Sequence, residues 1–354
     1  MKLFNKIIAV TFAICLAFSI TACTPKGSAE NFYYFNTVIH VETHGTVISA
    51  TTKAELNALF FELENEFDSK VNGSITARFN QMDKFGEIEL TKDAQTVLSV
   101  AKECYAFSNG KFNPCIYPLT KLWGFAPFSY TPNYTVPTAQ DIANAKAQCD
   151  FNALNLENNI LKKTETHLTL DLGGIVKGYA TDKALQILTA SGHTKGYVSI
   201  GSSSIALLSY PTLGVTHPTK SGTIITCNTA NAINLCVSTS GDYEKFYVDG
   251  DGTKYCHIID PDSGCPAQTG VRSATILGIN GVYGDALTTA ICLMEHDGTI
   301  NSQLTQFLNK IIQEYPQSSF YVIYEKGNIK QLITNKIQNQ DFTLHDTEFA
   351  LLKI

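Results

Sequence analysis

Residues 171–182 read Asp-Leu-Gly-Gly-Ile-Val-Lys-Gly-Tyr-Ala-Thr-Asp, and no other stretch limits the fold as tightly. Just before it, residues 167–171 (HLTLD) alternate as a strand does. Beyond it, Val176, Tyr179, Ala180, Ala184, Ile187 and Leu188 recur at helical spacing, and Gly192 supplies a stop. A strand is therefore predicted to pass into a helix across two adjacent glycines. Gly173 and Gly174 free the backbone for positive φ or for close approach to a ligand. The following helix start offers unpaired N–H groups and partial positive charge to a phosphate, and Lys177 adds a full charge. The same junction also serves as a packing device. Its spacing is neither G-x-G-x-x-G nor a P-loop, which excludes both of those nucleotide sites.

Two further motifs carry chemistry. His257-Ile258-Ile259-Asp260-Pro261-Asp262-Ser263-Gly264 reads as a strand ending in a turn, with His257 either a core histidine or a catalytic one. Gly284-Asp285-Ala286-Leu287-Thr288-Thr289-Ala290 reads as a helix start, with Asp285 at the N-cap or in the first turn. Asp285 and Thr289 are four apart and share a helix face. A carboxylate, a hydroxyl and a backbone carbonyl from elsewhere would make an oxygen-only site suited to Mg²⁺.

The chain opens with MKLFNKIIAVTFAICLAFSITAC. Lys2 and Lys6 precede an uncharged, mostly apolar run from Ile7 to Ile20, short for a spanning helix and fitting for a signal peptide. Ile20-Thr21-Ala22-Cys23 resembles a lipobox, so residues 1–22 are expected to be removed and Cys23 lipidated, with 23–32 a polar tether. A conventional signal peptide and an uncleaved anchor are the other readings. The expected location is the extracytoplasmic face of the cell membrane. Lys+Arg 26 against Asp+Glu 32 gives a net charge of −6, so nothing suggests a nucleic-acid partner. Of ten cysteines, none forms C-x-x-C, and the eight beyond Cys23 could be paired or reduced.

Along the mature chain, 33–50 is predicted as a strand pair turning near His44-Gly45, and 52–67 and 91–107 as helices, the second capped by Thr91. Residues 124–140 read as a surface loop, with a helix starting after Pro137-Thr138 and running to about Cys149. Short strands are expected at 196–209, 223–227, 233–239, 255–259 and 271–279, a helix at 285–294 and a hairpin at 320–332 turning at Lys326-Gly327. Helices and strands mix without a βαβ rhythm, so the class is α+β.

In combination these blocks resemble the ApbE-type flavin transferases. Asp171 to Gly178 is similar to that family's central motif, His257 to Pro261 to its His-x-x-Asp-Pro segment, and Asp285 to Ala290 to its Asp-Ala-Leu-x-Thr-Ala helix. Ser74 to Asn80, Gly110 to Pro114, Leu122 to Phe125 and Thr239 to Tyr243 match further blocks. The resemblance covers roughly 33–335, one catalytic domain of mixed sheets and packed helices with a T-fold-like architecture, and leaves 336–354 as a C-terminal extension. It implies Mg²⁺-dependent transfer of FMN from FAD to a Thr or Ser hydroxyl of acceptor flavoproteins, such as subunits of membrane redox complexes, with release of AMP. It implies Gly174, Asp285 and Thr289 as metal ligands. It also implies FAD contacts from Lys111, Phe112, Asn113, Asp171, Lys177 and the backbone near Ile259, with His257 and Asp285 in the chemistry. The chain departs from the family where Asn113 replaces the usual Asp, where Lys70 and Val71 stand in place of an aromatic, and where Ser202-Ser203-Ser204 lacks an acid. Ser273-Ala274-Thr275 is faintly like a flavin-acceptor motif and alternates as a strand. FAD hydrolysis to FMN and AMP, and flavin binding without catalysis, are the alternatives.

Overall fold

A computed structural model describes residues 27–126, 135–157 and 159–354. The predicted signal peptide, Cys23 and the centre of the predicted 124–140 loop lie outside the described residues. The chain opens with β1 (Ser28–Tyr34), β2 (Thr37–Thr43), α1 (Ala50–Phe67), α2 (Ile75–Gln81), β3 (Glu87–Glu89), α3 (Lys92–Phe107) and α4 (Tyr117–Leu122). It continues through α5 (Ala139–Lys146), β4 (Leu154–Glu157), β5 (Ile160–Lys163), α6 (Val176–Ala190), β6 (Gly196–Ile200), β7 (Ser204–Ser209), β8 (Thr212–Thr216) and β9 (Thr223–Asn228). Then come β10 (Leu235–Gly241), β11 (Phe246–Val248), β12 (Lys254–Cys256), β13 (Val271–Leu277), α7 (Gly281–Ile291) and α8 (Gln303–Glu314). The chain closes with β14 (Ser319–Lys326), β15 (Ile329–Thr334), β16 (Phe342–Leu344) and β17 (Ala350–Lys353).

A nine-stranded sheet in the order β1-β2-β6-β7-β10-β13-β14-β15-β17 is the frame. Its pairs are antiparallel except β15 with β17. Both faces of its centre are covered, which explains why β14 reads as a near-continuous apolar run. Phe320, Val322 and Tyr324 join the main core with α1, α3, α6 and α7, while Tyr321 and Ile323 join a second core. That second core is closed by the small sheet β16-β9-β8, through Leu213, Val215, Ile225 and Phe342. The architecture is a single α+β domain.

Several expectations change. The first hairpin turns at Phe35-Asn36, both at positive φ, and not at His44-Gly45. β1 begins at Ser28, so the second half of the expected tether is paired with β2. The expected C-terminal extension is part of the fold: β16 pairs with β9 and β17 with β15. The run 196–209 is two strands folded back at Gly201-Ser202, both at positive φ. Residues 167–171 form no strand. Leu170 instead exchanges both backbone hydrogen bonds with the Asn80 side chain, at 2.7 and 2.9 Å, and the Asp171 N–H donates to the Pro114 carbonyl. Thr91 caps α3 as expected, and Thr138 caps α5. All eight described cysteines are free thiols.

Candidate functional site

The site lies where the starts of α6 and α7 meet the end of β10. Asp285 is not a cap. α7 starts four residues earlier than the periodicity suggests, which places Asp285 a full turn inside the helix and buried, 2 % exposed. The reason is external: Asp182 on α6 accepts the N–H groups of Gly281 at 2.6 Å and Val282 at 2.9 Å and so caps α7 from outside. Asp285 Oδ2 in turn accepts the Gly178 N–H at 3.0 Å, and Oδ1 faces the Lys177 ammonium at 3.8 Å.

Gly174, Asp285 and Thr289 come together. A Cβ at Gly174 would stand 3.6 Å from Thr289 Oγ1 and 3.4 Å from the Phe112 ring, so Gly174 forms the wall opposite the α7 face. The Thr289 hydroxyl donates to the Asp285 carbonyl at 3.2 Å and lies 3.4 Å from Ser240 Oγ. Ser240 also bonds Thr288 at 2.9 Å. The sequence blocks contained Ser240 but assigned it nothing; only strand alternation on β10 could have aimed it at α7. The donors are a carboxylate, a hydroxyl and a glycine backbone, and among the described residues no three His, Cys, Asp or Glu side chains group as a metal centre. Such a set fits a hard cation of the Mg²⁺ kind and not zinc or copper.

Lys177 sits on the first turn of α6, 3.3 Å from the Gly173 carbonyl. Asp171 is held by the Gly173 N–H at 3.0 Å and the Thr120 hydroxyl at 3.2 Å. His257 is half-buried. Its pKa is lowered to about 4 by burial and by the charges of Lys245 and Lys177, so its imidazole is neutral at physiological pH. Its Nδ1 lies 3.3 Å from the Lys245 carbonyl, which makes Nδ1 the protonated nitrogen and leaves the Nε2 lone pair free. Lys245 is lowered by burial and by Lys177; Glu244 is raised by burial, against Lys177 and with Asp285. Neither had been singled out. Both line a cavity of about 330 Å³ with Gly201, Ser202, Thr239 and Tyr243. A wider hollow of about 600 Å³ beside β1 and α1 contains none of these groups.

The remaining candidates have partners within the protein. Lys111 pairs with Asp260 at 2.8 Å and Asp262 at 2.9 Å; burial would lower its pKa, but the two carboxylates raise it. Asn113 is buried, its amide donating to the Cys149 carbonyl at 2.9 Å and its Oδ1 accepting the Cys115 N–H at 2.8 Å. Phe112 is buried in the core. Ile259 packs with Leu119 and Trp123 and bridges to Pro266.

The fold and site define an α+β protein with a helix start, a lysine and an oxygen-only donor set converging on one point, which is chemistry for a phosphate and its counter-ion. The model of the ApbE family matches residues 35–307, and the chain belongs to that family. It is similar to the FAD:protein FMN transferase of Vibrio cholerae, 28% identical over 79% of this chain and 87% of that one. The FAD:protein FMN transferase of Treponema pallidum is 26% identical over 80% and 84%. Among solved structures, the flavin transferase ApbE from Vibrio cholerae superposes with a TM-score of 0.73 at 22% identity, covering 92% of this chain and 98% of that one. The apbe protein of Thermotoga maritima gives 0.73 at 24%, covering 85% and 96%.

Proposed function

We propose that this chain is an Mg²⁺-dependent FAD:protein FMN transferase. A Thr or Ser hydroxyl of an acceptor flavoprotein bonds to the phosphorus of the FMN half of FAD, the bond from that phosphorus to the bridging oxygen breaks, and AMP leaves. The observation that carries this reading is the meeting of Gly174, Asp285, Thr289 and Lys177 at the start of α6. The activity named for the curated relatives supports it.

Such a transfer needs positioning and charge stabilisation more than covalent help from the protein. Asp285, Thr289 and the Gly174 carbonyl would hold Mg²⁺, which when bound supplies charge neutralisation at the pyrophosphate. Lys177, on the first turn of α6, stabilises charge on the moving phosphoryl group. His257 accepts the hydroxyl proton at Nε2.

The same reading takes 1–22 as a signal peptide and Cys23 as the lipidated residue, supported by the lipobox-like sequence. Acceptors are then extracytoplasmic flavoproteins, such as subunits of membrane redox complexes. Among the described residues no helix is long and apolar enough to cross a membrane. Replacing Cys23 by Ala moves the protein out of the membrane fraction; retention there contradicts the anchor.

The test of the activity is incubation with FAD, Mg²⁺ and a flavin-acceptor domain, read as covalent flavin fluorescence of the acceptor in a denaturing gel. Labelling with stoichiometric AMP is expected. FMN and AMP without labelling, where a known transferase labels the same acceptor, would establish hydrolysis instead.

A further inference from the structure

α6 and α7 carry one pattern twice: a glycine followed four residues later by an aspartate, Gly178 with Asp182 and Gly281 with Asp285. The two units exchange hydrogen bonds. Asp182 Oδ1 accepts the Gly281 N–H and Oδ2 the Val282 N–H, while Asp285 Oδ2 accepts the Gly178 N–H. Asp182 thus satisfies two N–H groups in the first turn of α7 and Asp285 one in the first turn of α6, where the helix dipole favours negative charge. The glycines allow this approach. A Cβ on Gly178 would stand 2.0 Å from the Gly281 carbonyl oxygen, and one on Gly281 would stand 2.6 Å from that of Gly178. The Cys236 thiol donates to Asp182 Oδ1 at 3.2 Å and closes the arrangement from β10.

We propose that Asp182 is a positioning residue for the site, acting through Asp285. By capping α7 at Gly281 it sets where that helix begins. It thereby sets the point at which Asp285 reaches the start of α6 with one oxygen and presents the other beside Lys177. The inference rests on the assignment of Asp285 to the metal site, and the exchanged hydrogen bonds can be read without any metal. Asp182 needs no contact with FAD or Mg²⁺ for this role. Without its carboxylate the first turn of α7 loses both acceptors, and the Asp285–Gly178 bond in the next turn loosens with it.

The experiment compares the full chain with Asp182→Ala and Asp182→Asn. It uses residue-resolved amide exchange and electron paramagnetic resonance of Mn²⁺ alone as the metal probe. In folded Asp182→Ala, protection is lost at Gly178, whose own acceptor Asp285 is untouched, and Mn²⁺ binding weakens about 10–100-fold, the range for residues that orient metal ligands. Asp182→Asn keeps one acceptor oxygen and restores most of both. Unchanged protection at Gly178 in Asp182→Ala overturns the proposal. If Asp182→Ala does not fold, Asp182→Asn with exposed Val282 but fully protected Gly178 overturns it as well. A wild-type chain that binds no Mn²⁺ refutes the metal assignment instead, and Gly178 exchange still decides whether Asp182 acts through Asp285.

Discussion

The two ends of the site use their motif residues in opposite ways. At the α6–α7 end, Asp285 spends one oxygen on Gly178 and keeps the other beside Lys177, and Thr289 spends only its proton. At the Lys111–Asp260 end, polar groups are consumed by one another: Lys111 by two aspartates, Asn113 by two backbone groups. As strings of letters the first end matches its family blocks closely, while the second carries Asn113 where the family usually has Asp. The difference teaches that a motif residue is assigned by the hydrogen-bonding capacity it has left, and not by its place in the motif.

The contrast breaks most directly at Asp285. Asp285→Ala should cost on the order of a thousandfold in transfer, since a metal ligand supplies several kcal/mol of charge stabilisation. The fold should persist, as far-UV circular dichroism would show. Transfer at the wild-type rate would move the chemistry elsewhere. Gly178→Ala, with its Cβ driven into the Gly281 carbonyl, should destabilise the protein by about 1–3 kcal/mol or more. Gly174→Ala meets only ordinary contacts and should leave the denaturant midpoint nearly unchanged while reducing transfer.

At the opposite end the effects are on stability. Asn113→Asp restores the letter usual in the family, yet it removes the amide that donates to Cys149 and should cost about 1–3 kcal/mol in urea unfolding. A stabilised variant would show that this position is held for ligand contact.

The smallest effect is a pH dependence. His257 has a folded pKa of about 4, below the ordinary 6.5. The unfolded chain therefore binds more protons between those values, and stability falls as pH drops through that window. His257→Gln should flatten that part of the stability profile. An unchanged slope between pH 4 and 6.5 would show that the imidazole is not held neutral.

Much of this arrangement could be read in advance because it is local. The i, i+4 spacing put Asp285 and Thr289 on one face, and the apolar stripe from Val176 located α6. What escaped was set by partners far along the chain. The true start of α7 depends on Asp182, about a hundred residues away, and no periodicity within α7 records it. Residues 167–171 alternate like a strand, but their hydrogen bonds go to Asn80 and Pro114 and not to a ladder. The last nineteen residues lie beyond the stretch that resembles the family, and the pairing of β16 and β17 with β9 and β15 is non-local. Lys111 carries charge suited to a phosphate, and only the fold shows Asp260 and Asp262 already against it.

The oxygen-only site at the meeting of α6 and α7 is proposed to drive flavin transfer with a divalent cation. The wild-type chain, stripped of metal by a chelator and mixed with FAD and an acceptor domain, should leave the acceptor without covalent flavin fluorescence. Added Mg²⁺ should restore labelling together with AMP release. Equal labelling with and without the cation would contradict the account.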